Sequence, residues 1–214
     1  MFVGGTVTAL YPLEGDVDVR PTLDVDCVVD VGSTAHYYAF IDRLLARGFR
    51  TCTDDGAPLC RLVYQEILVD VVPATSTAIG PTNRWYQEAI LHAESHAIAA
   101  GVDIQAITPL YFVATKLEAF RGRGRGDYQA SHDLEDLLGV IAGLSDLRTR
   151  IADATSDVAT AVRDELVELR ARDAFIDAVP AHFDGDVSGQ ERADELLEWL
   201  RSLRRKSASP LRGP

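Results

Sequence analysis

The chain has 214 residues, of which 47% are hydrophobic and 25% are charged, and its formal net charge at pH 7 is −12. This composition is typical of a folded globular protein, and the negative charge argues against non-specific nucleic-acid binding by the whole molecule. The three cysteines have no C-x-x-C spacing and no long apolar stretch occurs. We therefore expect reduced thiols and a cytoplasmic protein that does not contact a membrane.

The first 83 residues are predicted to alternate short strands and helices. The segment "MFV" favours a strand that ends at a glycine turn, and "TVTALYPL" favours a short helix stopped by proline. "LDVDCVVDV" is rich in β-branched residues and indicates a strand, whereas "AHYYAFIDRLLARGF" has helical spacing of apolar residues. "LCRLVYQ" and "EILVDVVP" lie too close together for an intervening helix, which predicts an antiparallel pair.

The segments beyond residue 83 are predicted to be helical, because apolar residues recur there at intervals of three and four residues. This region includes "RWYQEAILHAESHAIAAG", "TPLYFVATKLEAF", "SHDLEDLLGVIAGL", "ATSDVATAVRDELVELRARDAFIDAVP" and "SGQERADELLEWLRSLRRK". We predict an α+β protein, in which a small mixed β-sheet with flanking helices leads into a helical C-terminal half. The predicted divisions are a core at 1–83, a helical region at 84–206 and a flexible tail at 207–214.

Three aspartates lie within predicted strands that are otherwise apolar. Asp24 and Asp26 share one face of their strand because side chains alternate with a period of two, and Asp70 lies inside a second strand. If the strands are neighbours, three carboxylates converge, which is an arrangement suited to Mg²⁺. Each aspartate alone is better explained as a loop cap, a solvated acid or the end of an edge strand. The three together favour a cation site.

A glycine turn precedes these aspartates. Gly4 and Gly5 allow backbone N–H groups to approach an anion, and the Thr6 hydroxyl can donate to a phosphate oxygen. A Gly-Gly-Thr turn alone is weak evidence, and it is not a Walker loop, because no Gly-Lys-Ser/Thr follows.

These motifs together resemble a known family. "GGT", "RPTLDVD" and "VDVVP" resemble the polymerase-β-like nucleotidyltransferase superfamily, and "TPLYFVATKLEAFRGRGRGDY" with "SHDLEDLL" resembles the AbiEii-type nucleotidyltransferases, many of them toxins of toxin–antitoxin pairs. The resemblance covers about residues 2–141, and it identifies 1–83 as a nucleotidyltransferase catalytic core. There are two departures: Thr6 replaces the usual serine, and the chain begins directly on the first strand, which predicts a shortened form.

The resemblance implies roles for individual residues. Asp24 and Asp26 would bind Mg²⁺, or Mn²⁺ in its place, and Asp70 would be the third acid, which helps to activate the attacking hydroxyl. Gly5 and Thr6, with Gly4 in the same turn, would hold the triphosphate of ATP or another NTP.

The later motifs imply a second group of site residues. Lys116 would neutralise phosphate charge, and Asp133 or Asp136 would supply the last acidic motif. Read without the family, Lys116 is equally explained as a lysine that extends to solvent from a helix edge. The basic segment "RGRGRGDY" is either a loop that closes over phosphates or RNA, or a solvated linker. Its arginines are Arg121, Arg123 and Arg125.

The function that follows is a Mg²⁺-dependent nucleotidyltransferase that moves NMP from an NTP to an acceptor hydroxyl. The resemblance suggests an RNA or tRNA 3′ end as the acceptor and a toxin role with a cognate antitoxin. Transfer to a small molecule such as an antibiotic is one alternative, and a non-catalytic binding module with the same fold is another. Asp30 shares the parity of Asp24 and Asp26, and we expect it to matter far less.

Overall fold

The structure is a computed structural model that describes residues 1–15, 21–75, 79, 82–123 and 126–205. Within these residues the chain is a mixed α/β protein with one seven-stranded sheet. The strands are β1 (Phe2–Val3), β2 (Asp24–Val29), β3 (Arg50–Thr51), β4 (Arg61–Tyr64), β5 (Ile67–Pro73), β6 (Glu94–Ala99) and β7 (Val102–Ala106). The α-helices are α1 (Thr34–Leu45), α2 (Tyr86–Leu91), α3 (Pro109–Arg123), α4 (His132–Gly143), α5 (Ser145–Asp153), α6 (Asp157–Leu169), α7 (Asp173–Ala178) and α8 (Val187–Ser202), and 3₁₀ helices cover Gly5–Leu10 and Val179–His182.

The sheet is mixed, as the sequence predicted. Its strand order is β3-β4-β5-β2-β1-β7-β6, with parallel pairing between β2 and β5 and between β1 and β7. The remaining neighbours are antiparallel, including the predicted pair β4 and β5. The central parallel pair β2–β5 is the part of the sheet that carries the three aspartates.

The helix α1 covers one face of this part of the sheet. Its Tyr37 is buried and belongs to an apolar cluster that includes Val29, Val69 and Val71. These valines alternate with the aspartates along β2 and β5, so the aspartates project from the opposite face. The larger apolar core, built mainly from the helices α3–α6 and α8, includes Val28 of β2.

The prediction of a continuous helix across residues 84–101 is wrong. Only α2 is helical there, and β6 forms a hairpin with β7 through a turn in which Gly101 has φ 73°. This two-residue connection permits tight antiparallel pairing, which overrides the helix propensity of the alanines. Two strands in the region that was predicted to be helical therefore extend the sheet. The division of the chain between residues 83 and 84 stays a prediction.

The helical remainder differs in detail from the sequence pattern. The segment 154–180, predicted to be helical, contains α6, α7 and a 3₁₀ turn, and α5 lies in the predicted helical region between two of the named segments. Arg163 of α6 is only 1% exposed and donates to the carbonyls of Ile151 and Ala154 at the end of α5. This arginine satisfies carbonyls that a helix terminus leaves without partners. Among the described helices, none is long and apolar enough to cross a membrane.

Candidate metal centre

Three carboxylates converge on the central strands of the sheet. Parallel pairing of β2 with β5 places Asp26 beside Asp70, and Asp24 lies two residues earlier on β2, opposite Leu68. One oxygen from each of these aspartates lies within 4.8 Å of the others. The convergence predicted from the strand pattern is therefore present, and the three side chains, hereafter the aspartate triad, form a group that could hold a metal ion.

The triad lies at the boundary between the protein interior and solvent. Asp70 is 8% exposed, whereas Asp24 and Asp26 are half-buried. Placing three carboxylates so close together, with one of them buried, is unfavourable without a compensating positive charge. The site therefore requires a cationic partner.

An arginine from the neighbouring strand provides one such charge. Arg61 of β4 donates from Nε to Asp70 Oδ1 at 2.7 Å and from Nη2 to Asp70 Oδ2 at 2.8 Å. The same Nη2 donates to Asp24 Oδ2 at 3.1 Å. The hydrogen bonds to Asp70 are the main cause of a raised pKa for the Arg61 guanidinium. Arg61 thus joins two members of the triad through charge-assisted hydrogen bonds.

The glycine turn lies directly against the triad. Gly4 has φ 73°, a conformation that glycine adopts readily, and a Cβ added there would lie 2.0 Å from Asp26 Oδ2. Thr6 donates from Oγ1 to the backbone carbonyl of Asp24 at 3.0 Å. Gly5 is buried at the start of the first 3₁₀ helix. Gly4 therefore leaves the space that the Asp26 carboxylate fills, and Thr6 fastens the turn to β2.

The second group of predicted residues lies on the helices α3 and α4. Lys116 Nζ lies 2.5 Å from Asp136 Oδ2 and 3.2 Å from Asp133 Oδ1, and both carboxylates are largely buried. The lysine also lies over the ring of Phe112, 5.7 Å from its centroid. The structure thus brings Lys116, Asp133 and Asp136 together as one ion-paired cluster, in place of a lysine extended to solvent.

The predicted basic segment is only partly described. Arg121 is exposed on α3 and forms an ion pair with Glu165 of α6. Arg123 ends α3 and its side chain lies outside the described part of the chain, as does the whole of Arg125. A nucleotide-binding role for the three arginines stays a prediction.

Sequence reasoning missed Arg61, although the sequence contains a signal for it. Gln65 and Glu66 form a two-residue connection between β4 and β5, and Gln65 has φ 55°, as such tight turns require. Counting outward from this turn pairs Arg61 with Asp70, which is the observed register. The register of this hairpin is therefore enough to place Arg61 beside Asp70.

The donor chemistry of the triad fits a hard divalent cation, because such ions prefer carboxylate oxygens. The Gly4 backbone lies close to the Asp26 carboxylate and so restricts the position of this metal-donor group. Comparisons of the sequence with protein-family models and with curated proteins found no match. The nucleotidyltransferase resemblance therefore stays a prediction from the motifs.

Proposed function

We propose that this chain is a Mg²⁺-dependent nucleotidyltransferase that transfers NMP from an NTP to an acceptor hydroxyl. The observation that carries the proposal is the aspartate triad, whose carboxylate oxygens lie within 4.8 Å of one another beside a glycine turn. An RNA or tRNA 3′ end is the acceptor, and a toxin with a cognate antitoxin is the biological role. The acceptor and the role rest on the resemblance of the motifs alone.

The site residues have separate roles in the proposed transfer. Asp24 and Asp26, with Asp70, would hold Mg²⁺ or Mn²⁺, and the bound cation would supply positive charge to the phosphate oxygens. Gly4 leaves room for Asp26, and the backbone N–H groups of its turn would receive phosphate. The resemblance assigns phosphate neutralisation to Lys116, and its two acidic partners fix the direction of its side chain.

The reaction is an in-line displacement at the α-phosphorus of the NTP. The acceptor oxygen forms the new P–O bond, the bond from the α-phosphorus to the bridging oxygen breaks, and pyrophosphate leaves. Asp70 accepts the proton that the acceptor hydroxyl loses. Positioning and charge neutralisation account for most of the catalysis expected of such a site.

The test is transfer of an α-phosphate label from each NTP, with Mg²⁺, to total RNA, tRNA or a panel of small-molecule hydroxyl acceptors. Wild-type protein should label RNA with one or more NTPs, and Asp26→Asn should abolish the label. Asp30→Asn is the matched control, because Asp30 is exposed and follows the end of β2. Label only in small molecules supports the antibiotic-type alternative. Equal labelling by wild type and Asp26→Asn contradicts the proposal.

A non-catalytic binding module is the second candidate, and the Arg61 contacts are the observation that favours it. A guanidinium that engages both Asp70 and Asp24 supplies positive charge to the triad without any metal ion. In that case nucleotide binds without transfer to any acceptor, and Asp26→Asn leaves the binding affinity nearly unchanged. The labelling assay combined with an NTP-binding titration separates the two candidates.

A further inference from the structure

The contacts of Arg61 are more specific than neutralisation of a negative surface requires. Both oxygens of Asp70 accept from the arginine, at 2.7 and 2.8 Å, in a bidentate pair. A further contact at 3.1 Å reaches Asp24 on the next strand. The guanidinium thus lies along the side of the triad that faces β4.

The same oxygens are the donors that a divalent cation needs. A cation bound by Asp70 as well as Asp24 would lie within a few ångström of the guanidinium, and two positive charges at that separation repel each other strongly in a partly buried site. The bidentate pair with Arg61 also engages both Asp70 oxygens, which are the atoms that would bind a metal ion. Arg61 and a cation on Asp70 are therefore competitors for one position.

We propose that Arg61 is an internal counter-ion that closes the aspartate triad, and that it leaves Asp70 when a divalent cation binds there. The proposal concerns regulation of the proposed cation site and rests on the proposed function for that site alone. Arg61 lowers the cation affinity of the free protein. Phosphate groups of a bound nucleotide favour the open state, because they offer the released guanidinium an alternative anionic partner.

The structure allows this exchange without a change in backbone. The Arg61 side chain is 24% exposed, so the guanidinium can move into solvent by rotation about its own side-chain bonds. The ladder that pairs Arg61 with Asp70 and continues to the turn is formed by main-chain groups and does not depend on the side-chain contact. The open and closed states therefore share one fold.

The first test measures Mn²⁺ and Mg²⁺ affinity of the nucleotide-free protein by calorimetry. Arg61→Gln should bind the cation at least about tenfold more tightly, since a nearby charge commonly shifts an ionic equilibrium by one or more powers of ten. Arg50→Gln is the matched control. Arg50 lies on the same face of the sheet as Arg61, because its partner Val63 is two residues from Arg61 on β4. The Arg50 side chain donates to the Gln65 carbonyl. Unchanged or weaker binding by folded Arg61→Gln overturns the proposal, as does absence of binding by both proteins.

The second test uses the wild-type protein and stays informative if Arg61→Gln does not fold. The Nε–H resonance of Arg61 should be protected from exchange in the cation-free protein, because it donates to Asp70 at 2.7 Å. Saturation with diamagnetic Mg²⁺ should shift that resonance and remove its protection. Persistence of the protection while the backbone amides of Asp24 and Asp26 report binding overturns the proposal. Both tests are independent of catalysis, so a protein that binds Mg²⁺ by releasing Arg61 but transfers no NMP contradicts only the proposed function.

Discussion

Replacement of Gly4 by alanine tests the geometry of the triad with a single methyl group. The new Cβ would lie 2.0 Å from Asp26 Oδ2, whereas ordinary contact begins near 3.4 Å, so the carboxylate must retreat by about 1.4 Å. The backbone of Gly4, at φ 73° and ψ −173°, lies in a region that is essentially restricted to glycine, so a residue with a Cβ there adds about 1–3 kcal/mol of strain. Metal–oxygen distances of about 2.0–2.6 Å leave no room for a displacement of that size.

We therefore expect Gly4→Ala to weaken Mn²⁺ binding at least about tenfold and to lower NMP transfer on the order of a hundredfold, while the protein remains folded. Calorimetry and the labelling assay measure these effects, and the melting temperature should fall by about 2–12 °C. Gly32→Ala is the control, because no heavy atom lies within 4 Å of its added Cβ. Wild-type cation affinity in Gly4→Ala would show that Gly4 does not position Asp26.

Three further predictions concern stability and reactivity. Lys116→Met should lower the free energy of unfolding by about 3–5 kcal/mol in denaturant titrations, and adding Asp136→Leu should restore part of the loss, since one buried carboxylate is then removed. Arg163→Met should cost about 2–4 kcal/mol, because the carbonyls at the end of α5 lose their donor, whereas exposed Arg150→Met should change little. Burial, with the charges of Asp70 and Asp26, raises the pKa of Cys60 to about 11. Iodoacetamide should therefore alkylate Cys60 in the folded protein far faster at pH 11 than at pH 8. Equal alkylation rates at the two pH values would contradict that last prediction.

The triad was predictable because it depends on two local properties of the sequence. Alternation along β2 puts Asp24 and Asp26 on one face, and the apolar pattern around Asp70 marks a strand that belongs in the sheet interior. The short loops and turn residues favoured the β4–β5 pair. What the sequence pattern left open was the parallel pairing of β2 with β5, which depends on tertiary contacts.

The errors lie where long-range contacts decide the structure. The alanine-rich segment of β6 has helix propensity, but its pairing with β7 prevails. Lys116 was equally explained as a residue extending to solvent, because its acidic partners lie 17 and 20 positions later in the chain. Arg61 was overlooked, although the hairpin register determines its partner. Charge pairs between elements require the packing to be known before their partners can be identified.

The most direct test of the cation site is a crystal structure with Mn²⁺ and a non-hydrolysable NTP, read by the anomalous signal of the metal. We predict a Mn²⁺ peak within about 2.5 Å of carboxylate oxygens of Asp24 and Asp26, with Arg61 released from Asp70 and the phosphates beside the Gly4 turn. Bound nucleotide with no Mn²⁺ at the triad, and with Arg61 still paired to Asp70, would contradict it.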